Sequence, residues 1–152
     1  MVLKRLGPPS QRTPTKALAN ILYVEDEDAN WQVTELHLRG KYHLKRAVNS
    51  AEALAALERE PFDLLLLDIQ LKGSELDGIQ LCRAIRAGVR PGLPRSEAIM
   101  RMPIVFVTAY SARYDKPALI EAGGDDLVTK PVDYTRLLLV SSRLLVRGVQ
   151  TT

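Results

Sequence analysis

The sequence is poor in the residues that build covalent cross-links and metal cages. Cys82 is the only cysteine among 152 residues, which excludes an intrachain disulfide and a cysteine-built metal site and fits a reducing cytoplasm. The two histidines, His37 and His43, leave little material for a zinc site. Apolar runs such as Leu64 to Leu67 are far too short to cross a bilayer, and three prolines near the N-terminus interrupt any signal peptide. We therefore expect neither membrane insertion nor export.

The remaining composition is that of an ordinary folded domain. Hydrophobic residues make up 46% of the chain and charged residues 26%, which excludes a disordered or fibrous protein. The net charge of +3 arises largely from residues 1–19, which contain four basic residues and no acidic one. We predict a basic, proline-containing tail over 1–19, one domain over 20–148 and a short C-terminal tail over 149–152. Four charges without aromatic residues make a weak electrostatic footprint, so we do not expect the tail to bind nucleic acid.

From residue 20 onward, apolar segments of strand length alternate with segments of helical period. The predicted strands cover 20–25, 42–47, 62–67, 103–108 and 126–129. The predicted helices cover 28–39, 51–59, 77–87, 112–122 and 133–147, and 88–102 is predicted to be an extended loop. Units of about 26 residues match right-handed strand–helix–strand crossovers. The predicted fold class is α/β: a doubly wound, five-stranded parallel sheet with helices on both faces.

Polar residues stand where the predicted strands end. Glu25 and Asp26 follow the first strand, Asp68 follows the third, Thr108 ends the fourth and Lys130 follows the fifth. Ligands of a doubly wound sheet bind at this edge. Three carboxylates in one place repel one another, so they require Lys130 and a hard cation such as Mg²⁺ as counter-charges. If a phosphoryl group approaches, Asp68 can attack it while Thr108 and Lys130 contact its oxygens.

At these residues the sequence resembles the receiver domain of two-component response regulators. The resemblance rests on ILYVEDED, DLLLLDIQL, the Asp77-Gly78 helix start, IVFVTAY and DDLVTKP, and it extends from about Asn20 to Arg147. It implies a flavodoxin-like strand order of 2-1-3-4-5 and a cytoplasmic signalling module controlled by phosphorylation. Because no output domain follows before Thr152, we expect a stand-alone receiver whose output is partner binding or dimerisation.

The resemblance also implies roles for the acidic residues. Asp68 matches the phosphoacceptor, which takes its phosphoryl group from a sensor histidine kinase or a histidine phosphotransfer protein. Asp26 matches a direct ligand of Mg²⁺ or Mn²⁺, Glu25 its acidic neighbour, and the backbone carbonyl of Gln70 a third protein ligand. Such a protein is not an enzyme acting on a separate substrate, but it catalyses its own aspartyl phosphorylation and dephosphorylation.

The switch positions match the family in part. Thr108 corresponds to the switch hydroxyl and Lys130 to the lysine that pairs with the phosphoryl group, and the bond from Lys130 to the following proline is usually cis. Leu127 stands where the family has a switch aromatic, which puts the aromatic half of the switch in question. Gln70 and Tyr110 occupy the positions that tune hydrolysis, and the bulk of Tyr110 predicts slow self-dephosphorylation.

Other functions remain open from the sequence. Leu127 and the altered loop after Asp68 are compatible with a phosphorylation-independent scaffold or protein-interaction domain of the same fold. A phosphatase with an aspartate nucleophile is disfavoured, because such enzymes have two aspartates two residues apart after strand one, whereas Glu25 and Asp26 are adjacent. Nucleic-acid binding would use the tail and a group of arginines at and near the long loop: Arg83, Arg86, Arg90, Arg95 and Arg101.

Three further features are predicted with a structural role or a binding role. Asp125 and Asp126 are interpreted as polar loop residues. The last helix has apolar residues at 137–140 and 144–146, more than one face requires. We expect either a partner or homodimer face there, with Trp31 nearby, or burial under the N-terminal tail. Cys82 is expected to be a small core residue.

Overall fold

The computed structural model describes residues 18–88, 96–109 and 115–150. Its strands are β1 Asn20–Val24, β2 His43–Ala47, β3 Leu64–Leu67, β4 Ile104–Thr108 and β5 Asp126–Thr129. Its helices are α1 Asp28–Leu38, α2 Ser50–Arg59, α3 Gly78–Ala87, α4 Glu97–Met100, α5 Lys116–Glu121 and α6 Tyr134–Gln150. Most of the predicted N-terminal tail lies outside the described residues, as do Tyr110, Arg90 and Arg95.

The five strands form one parallel sheet in the order β2-β1-β3-β4-β5, which confirms the predicted fold class and strand order. β3 is the central strand, and its four leucines are completely buried. Strand residues alternate between two cores, because successive side chains point to opposite faces of a sheet. Leu65 and Leu67 pack with residues of α2 and α3, whereas Leu64 and Leu66 pack with residues of α1 and α6.

The ends of α2 and α3 follow the capping signals in the sequence. The Asn49 side chain accepts a hydrogen bond from the backbone N–H of Glu52 at the start of α2. Asp77 and Gln80 form a reciprocal capping box at the start of α3. α3 ends at Gly88, whose φ of 65° lies in the left-handed region that glycine adopts without strain.

Most boundaries lie within one residue of the sequence predictions, but some differ by more, and α5 covers only Lys116–Glu121 of the predicted helix over 112–122. The segment predicted as an extended loop contains the short helix α4, which the Ser96 hydroxyl caps by accepting from the backbone N–H of Ile99. β3 begins at Leu64, two residues later than predicted. α6 continues through position 148 to Gln150 instead of ending before the glycine.

The sequence suggested that Arg86 belongs to a group of arginines at and near the long loop. In the structure, Arg86 instead has a structural role. Its guanidinium donates hydrogen bonds to the backbone carbonyls of Met100, Met102 and Gly123 at distances of 2.6 to 2.9 Å. It also donates to the carboxylate of Asp125 at 2.9 Å. Arg86 therefore ties α3 to the chain before β4 and before β5.

Asp125 and Asp126 are likewise not the polar loop residues that the sequence indicated. Asp125 accepts from the backbone N–H of Ile104 at 2.9 Å as well as from Arg86. Asp126 is 5% exposed and forms ion pairs with side chains of α5 and α6. Because β5 is a short edge strand, the acids at its start lie beneath the neighbouring helices, where basic side chains reach them.

The last helix has both buried and exposed apolar residues. Leu137, Val140 and Leu144 are buried against the sheet, but Leu139 is 61% and Val146 55% exposed. These two exposed residues belong to the face of α6 for which a partner or homodimer contact was predicted, and that contact stays a prediction. Trp31 packs between Tyr23, with ring centroids 6.3 Å apart, and the guanidinium of Arg46. Among the described residues, no helix combines the length and the apolar character needed to span a membrane.

Candidate functional site

Three carboxylates meet at the carboxyl edge of the sheet. Val24 at the end of β1 pairs in register with Leu67 at the end of β3, so the residues that follow these two strands are neighbours. One carboxylate oxygen from each of Glu25, Asp26 and Asp68 lies within 4.8 Å of the others. The structure thus brings together the acidic residues that the sequence placed at the strand ends.

Lys130 lies between two of these carboxylates. Its Nζ is 2.7 Å from Glu25 Oε1 and 2.9 Å from Asp68 Oδ2. The backbone N–H of Lys130 donates to the carbonyl of Thr108 at 2.8 Å, which fixes the lysine beside the end of β4. The peptide bond from Lys130 to Pro131 is cis. The amine is therefore held where a group bound to Asp68 would meet it.

Burial and charge shift the protonation equilibria of the site. Burial raises the pKa of the Asp68 carboxyl to about 6, and Lys130 opposes that rise. Burial favours the neutral amine of Lys130, but the hydrogen bonds to Glu25 and Asp68 outweigh it and raise the pKa of the amine. The cluster contains three carboxylates and one ammonium, so its positive charge does not balance its negative charge.

Glu25 is completely buried and has three hydrogen-bond donors. Besides Lys130, the Tyr23 hydroxyl donates to Glu25 Oε1 at 2.9 Å, and the backbone N–H of Glu27 donates to Oε2 at 3.1 Å. Burial and the neighbouring Glu25 raise the pKa of the Tyr23 phenol, which keeps it protonated as a donor. Sequence reasoning missed Tyr23, although its spacing of two residues from Glu25 on a strand places both side chains on one face.

The start of α3 is built against the backbone of Asp68. A Cβ atom at Gly78 would overlap the carbonyl oxygen of Asp68 and would lie 2.7 Å from the Cα of Ile69. The backbone N–H of Gly78 donates to the carbonyl of Ile69 at 2.8 Å. Only glycine permits this approach, so the predicted Asp77-Gly78 helix start fixes the segment that carries Asp68.

Two of the three carboxylates, Asp26 and Asp68, face an open cleft of about 370 Å³. Gln70 and Thr108, both predicted site residues, line it together with Asp26, Asp68 and Lys130. Leu127, by contrast, does not line the cleft and packs at the edge of the core cluster on the α2 and α3 side of the sheet.

The donor set of the cleft fits a hard divalent cation. Carboxylate oxygens are the ligands that Mg²⁺ prefers, and an open cleft leaves room for the waters that it retains. One oxygen of Asp26 accepts from the backbone N–H of Lys72 at 3.1 Å, which orients this carboxylate at the entrance. The residues that would hold the cation are Asp26 and Asp68, with Glu25 behind them.

Comparison with known proteins agrees with this fold and site. The family model of the response regulator receiver domain matches residues 21–141 of the sequence. The chain therefore belongs to that family. Receiver domains act in two-component signalling, and the predicted resemblance to them is confirmed. The family interacts with histidine kinases or phosphotransfer partners and with downstream effectors, and it binds Mg²⁺ at an acidic site.

Individual relatives come from two kinds of protein. The chain is 35% identical over 133 residues to the sensor histidine kinase GacS of Pseudomonas protegens. The aligned region covers 86% of this chain and 14% of GacS. It is 34% identical over 122 residues to the response regulator ArlR of Staphylococcus epidermidis, covering 80% of this chain and 50% of ArlR. The chain thus spans half or less of the length of these curated relatives.

One solved receiver domain matches this chain over nearly its whole length. The receiver domain of sensor histidine kinase PA1611 from Pseudomonas aeruginosa has a TM-score of 0.71 and 31% identity to this chain. The match covers 85% of this chain and 98% of that one, and that structure contains a magnesium ion coordinated in its active-site cleft.

Proposed function

We propose that Asp68 accepts a phosphoryl group from a histidine of a sensor kinase or a phosphotransfer protein. The observation that carries this proposal is the pairing of Asp68 with Lys130 at 2.9 Å, beside two further carboxylates and at the edge of an open cleft. The family assignment supports it, because the match over residues 21–141 includes Asp68 and Lys130.

The transfer needs the side chains of this site, a divalent cation in the cleft and a phosphohistidine. A carboxylate oxygen of Asp68 attacks phosphorus while the bond from phosphorus to the imidazole nitrogen breaks, and the imidazole keeps the electron pair and takes up a proton. Lys130 and the Thr108 hydroxyl contact the oxygens of the transferring group, where negative charge accumulates. The same residues hold the phosphoryl group afterwards, so no further acceptor is required.

Mg²⁺, or Mn²⁺ with the same oxygen preference, is the cation that we propose for the cleft. Asp26, Asp68, Glu25 and the backbone carbonyl of Gln70 are its proposed protein ligands. When bound, the cation neutralises charge on the carboxylates and on the phosphoryl oxygens. The chain itself supplies the orientation of the ligands, through the Lys72 contact to Asp26 and the Glu27 contact to Glu25.

The proposed output is binding of a downstream protein or a second copy of the chain. A phosphoryl group adds a charge of about −1.5 to −2 at Asp68 and attracts Thr108 and Lys130. Thr108 pairs with Thr129 of β5, and the backbone N–H of Lys130, which follows β5, donates to Thr108. The partially buried Leu127 replaces the switch aromatic, so we assign the response to Thr108 and Lys130. We propose a cytoplasmic location, which the presence of a single cysteine supports.

Intact mass spectrometry tests the proposed function. The protein is incubated with a small phosphodonor and Mg²⁺, and wild type is compared with Asp68→Asn and with Asp63→Asn as a control carboxylate at the other end of β3. One phosphoryl adduct on wild type and on Asp63→Asn, absent from Asp68→Asn and after chelation of Mg²⁺, supports the assignment. An unmodified wild type would favour the phosphorylation-independent scaffold.

A further inference from the structure

One buried hydroxyl beside the site has no part in the function proposed above. Tyr23 is 1% exposed, and its hydroxyl lies 2.9 Å from Glu25 Oε1. Lys130 Nζ is 2.7 Å from the same oxygen. The most buried carboxylate of the site therefore shares one oxygen between a tyrosine and the lysine that also pairs with Asp68.

The direction of the hydrogen bond follows from the neighbouring groups. An ionised carboxylate only accepts, so the Tyr23 hydroxyl donates to Glu25. On its other side the Tyr23 oxygen interacts with the hydroxyl of Thr34, a residue that is 1% exposed on α1. The Thr34 hydroxyl in turn lies 2.9 Å from the hydroxyl of Tyr134 at the start of α6. The Tyr23 proton points at Glu25 because the ionised carboxylate can only accept.

This arrangement bears on the movement of Lys130. A lysine that pairs with a phosphoryl group on Asp68 weakens its bond to Glu25, and a buried carboxylate oxygen that loses its donor is costly. The Tyr23 hydroxyl remains on that oxygen and reduces this cost. We propose that Tyr23 is a positioning residue that holds Glu25 so that Lys130 can leave it for the phosphoryl group on Asp68. This inference rests on the proposed function.

The test measures two quantities separately: the maximal rate of phosphorylation and the Mg²⁺ concentration that gives half of that rate. Tyr23→Phe keeps the ring and removes only the hydroxyl. At saturating Mg²⁺ and phosphodonor, its rate should fall about tenfold or more, as expected for loss of one hydrogen bond to a charged group. The Mg²⁺ concentration that gives half of the maximal rate should not rise, because Asp26 and the peptide of Glu27 stay in place. Tyr42→Phe, a half-buried tyrosine after α1, is the matched control and should keep the wild-type rate.

The outcomes are distinct. A wild-type rate in Tyr23→Phe overturns the inference, and so does a lower rate accompanied by an equal loss of Mg²⁺ affinity, which indicates general damage to the site. If Tyr23→Phe does not fold, Thr34→Val decides: a slower rate supports the inference, and the wild-type rate overturns it. If wild type is not phosphorylated, the proposed function itself is contradicted. If wild type is phosphorylated and Tyr23→Phe keeps its rate, only the role of Tyr23 is contradicted.

Discussion

At the scale of the residue, Asp126 has a structural role that its position at the start of β5 does not suggest. It is 5% exposed and lies 3.2 Å from Lys116, 3.1 Å from Arg143 and 3.4 Å from Arg136. Burial alone would favour the protonated acid. The backbone N–H of Leu127 and the ammonium of Lys116 outweigh burial and hold the pKa of the Asp126 carboxyl below its ordinary value.

The variant Asp126→Asn should lose stability at neutral pH. We expect a loss of about 2 kcal/mol in the free energy of unfolding at pH 7, because three partly exposed basic side chains lose the buried carboxylate that accepts from them. The folded carboxyl has the lower pKa, so its stabilisation is complete above the unfolded value of about 4 and is lost as the pH falls through the folded value. Urea unfolding should show the difference between the proteins shrinking below pH 4.

The control for Asp126 is Glu121→Gln, which removes an exposed carboxylate from α5. It should change the free energy of unfolding by less than about 0.5 kcal/mol. A difference between wild type and Asp126→Asn that stays constant from pH 7 to pH 3 would show that the charge of Asp126 does not stabilise the fold.

At the scale of the element, the N-terminus of α3 carries a constraint on the loop that bears Asp68. Asp77 caps the helix, and the next residue, Gly78, contacts the backbone of Asp68 and Ile69. The helix is held from its other end by Arg86. A displacement of α3 is therefore transmitted directly to the proposed phosphoacceptor.

Gly78→Ala should damage both stability and phosphorylation. The new methyl group overlaps the carbonyl of Asp68, so the backbone of that segment must shift. We expect a loss of about 2 kcal/mol in the free energy of unfolding, and about tenfold slower adduct formation on Asp68. Chemical unfolding and the time course of the intact mass measure the two effects.

Gly40→Ala is the matched glycine control. Gly40 has a φ of 82° and nothing within 4 Å of an added Cβ. The substitution should cost about 1 kcal/mol through backbone strain and leave the rate of phosphorylation unchanged. If folded Gly78→Ala is phosphorylated as fast as Gly40→Ala, the contact with Asp68 does not position the site.

At the scale of the whole molecule, the site depends on segments far apart in the chain. Glu25 and Asp26 follow β1, Asp68 follows β3 and Lys130 follows β5. The three carboxylates repel one another, and the Lys130 ammonium pairs with two of them, Glu25 and Asp68. The unfolded chain does not bring these groups together, so a cation that binds them binds only the folded state.

Mg²⁺ should therefore stabilise the fold. At about one hundred times its dissociation constant we expect a gain of about 2.7 kcal/mol, which raises Tm by about 5 to 10 °C. Calorimetry in Mg²⁺ and after chelation measures the shift. Asp26→Asn should abolish most of it.

The control for the cation effect is a monovalent salt at the same ionic strength. It screens the repulsion among the carboxylates but does not coordinate them. Equal rises of Tm in Mg²⁺ and in the monovalent salt would indicate screening without a bound cation. An undiminished shift in Asp26→Asn would contradict the proposed ligand set.

Much of the fold and of the candidate site could be predicted because the relevant signals are local. Apolar runs predict the buried strands, and Asn49 and Asp77 predict helix starts. Parallel strands end at one edge, so Asp68 and Lys130 were predicted to meet although 62 positions separate them. The short helix α4 escaped prediction because its four residues produce no clear periodicity.

The sequence by itself determined the alternation of strands and helices and the acidic residues at the strand ends, since both depend on hydrophobic period and on position within an element. Only the tertiary structure decided that Arg86 binds backbone carbonyls, that Asp126 lies under three cations, and that Tyr23 donates to Glu25. Such contacts depend on which side chains the packed helices bring within hydrogen-bond distance. No short-range pattern encodes that distance.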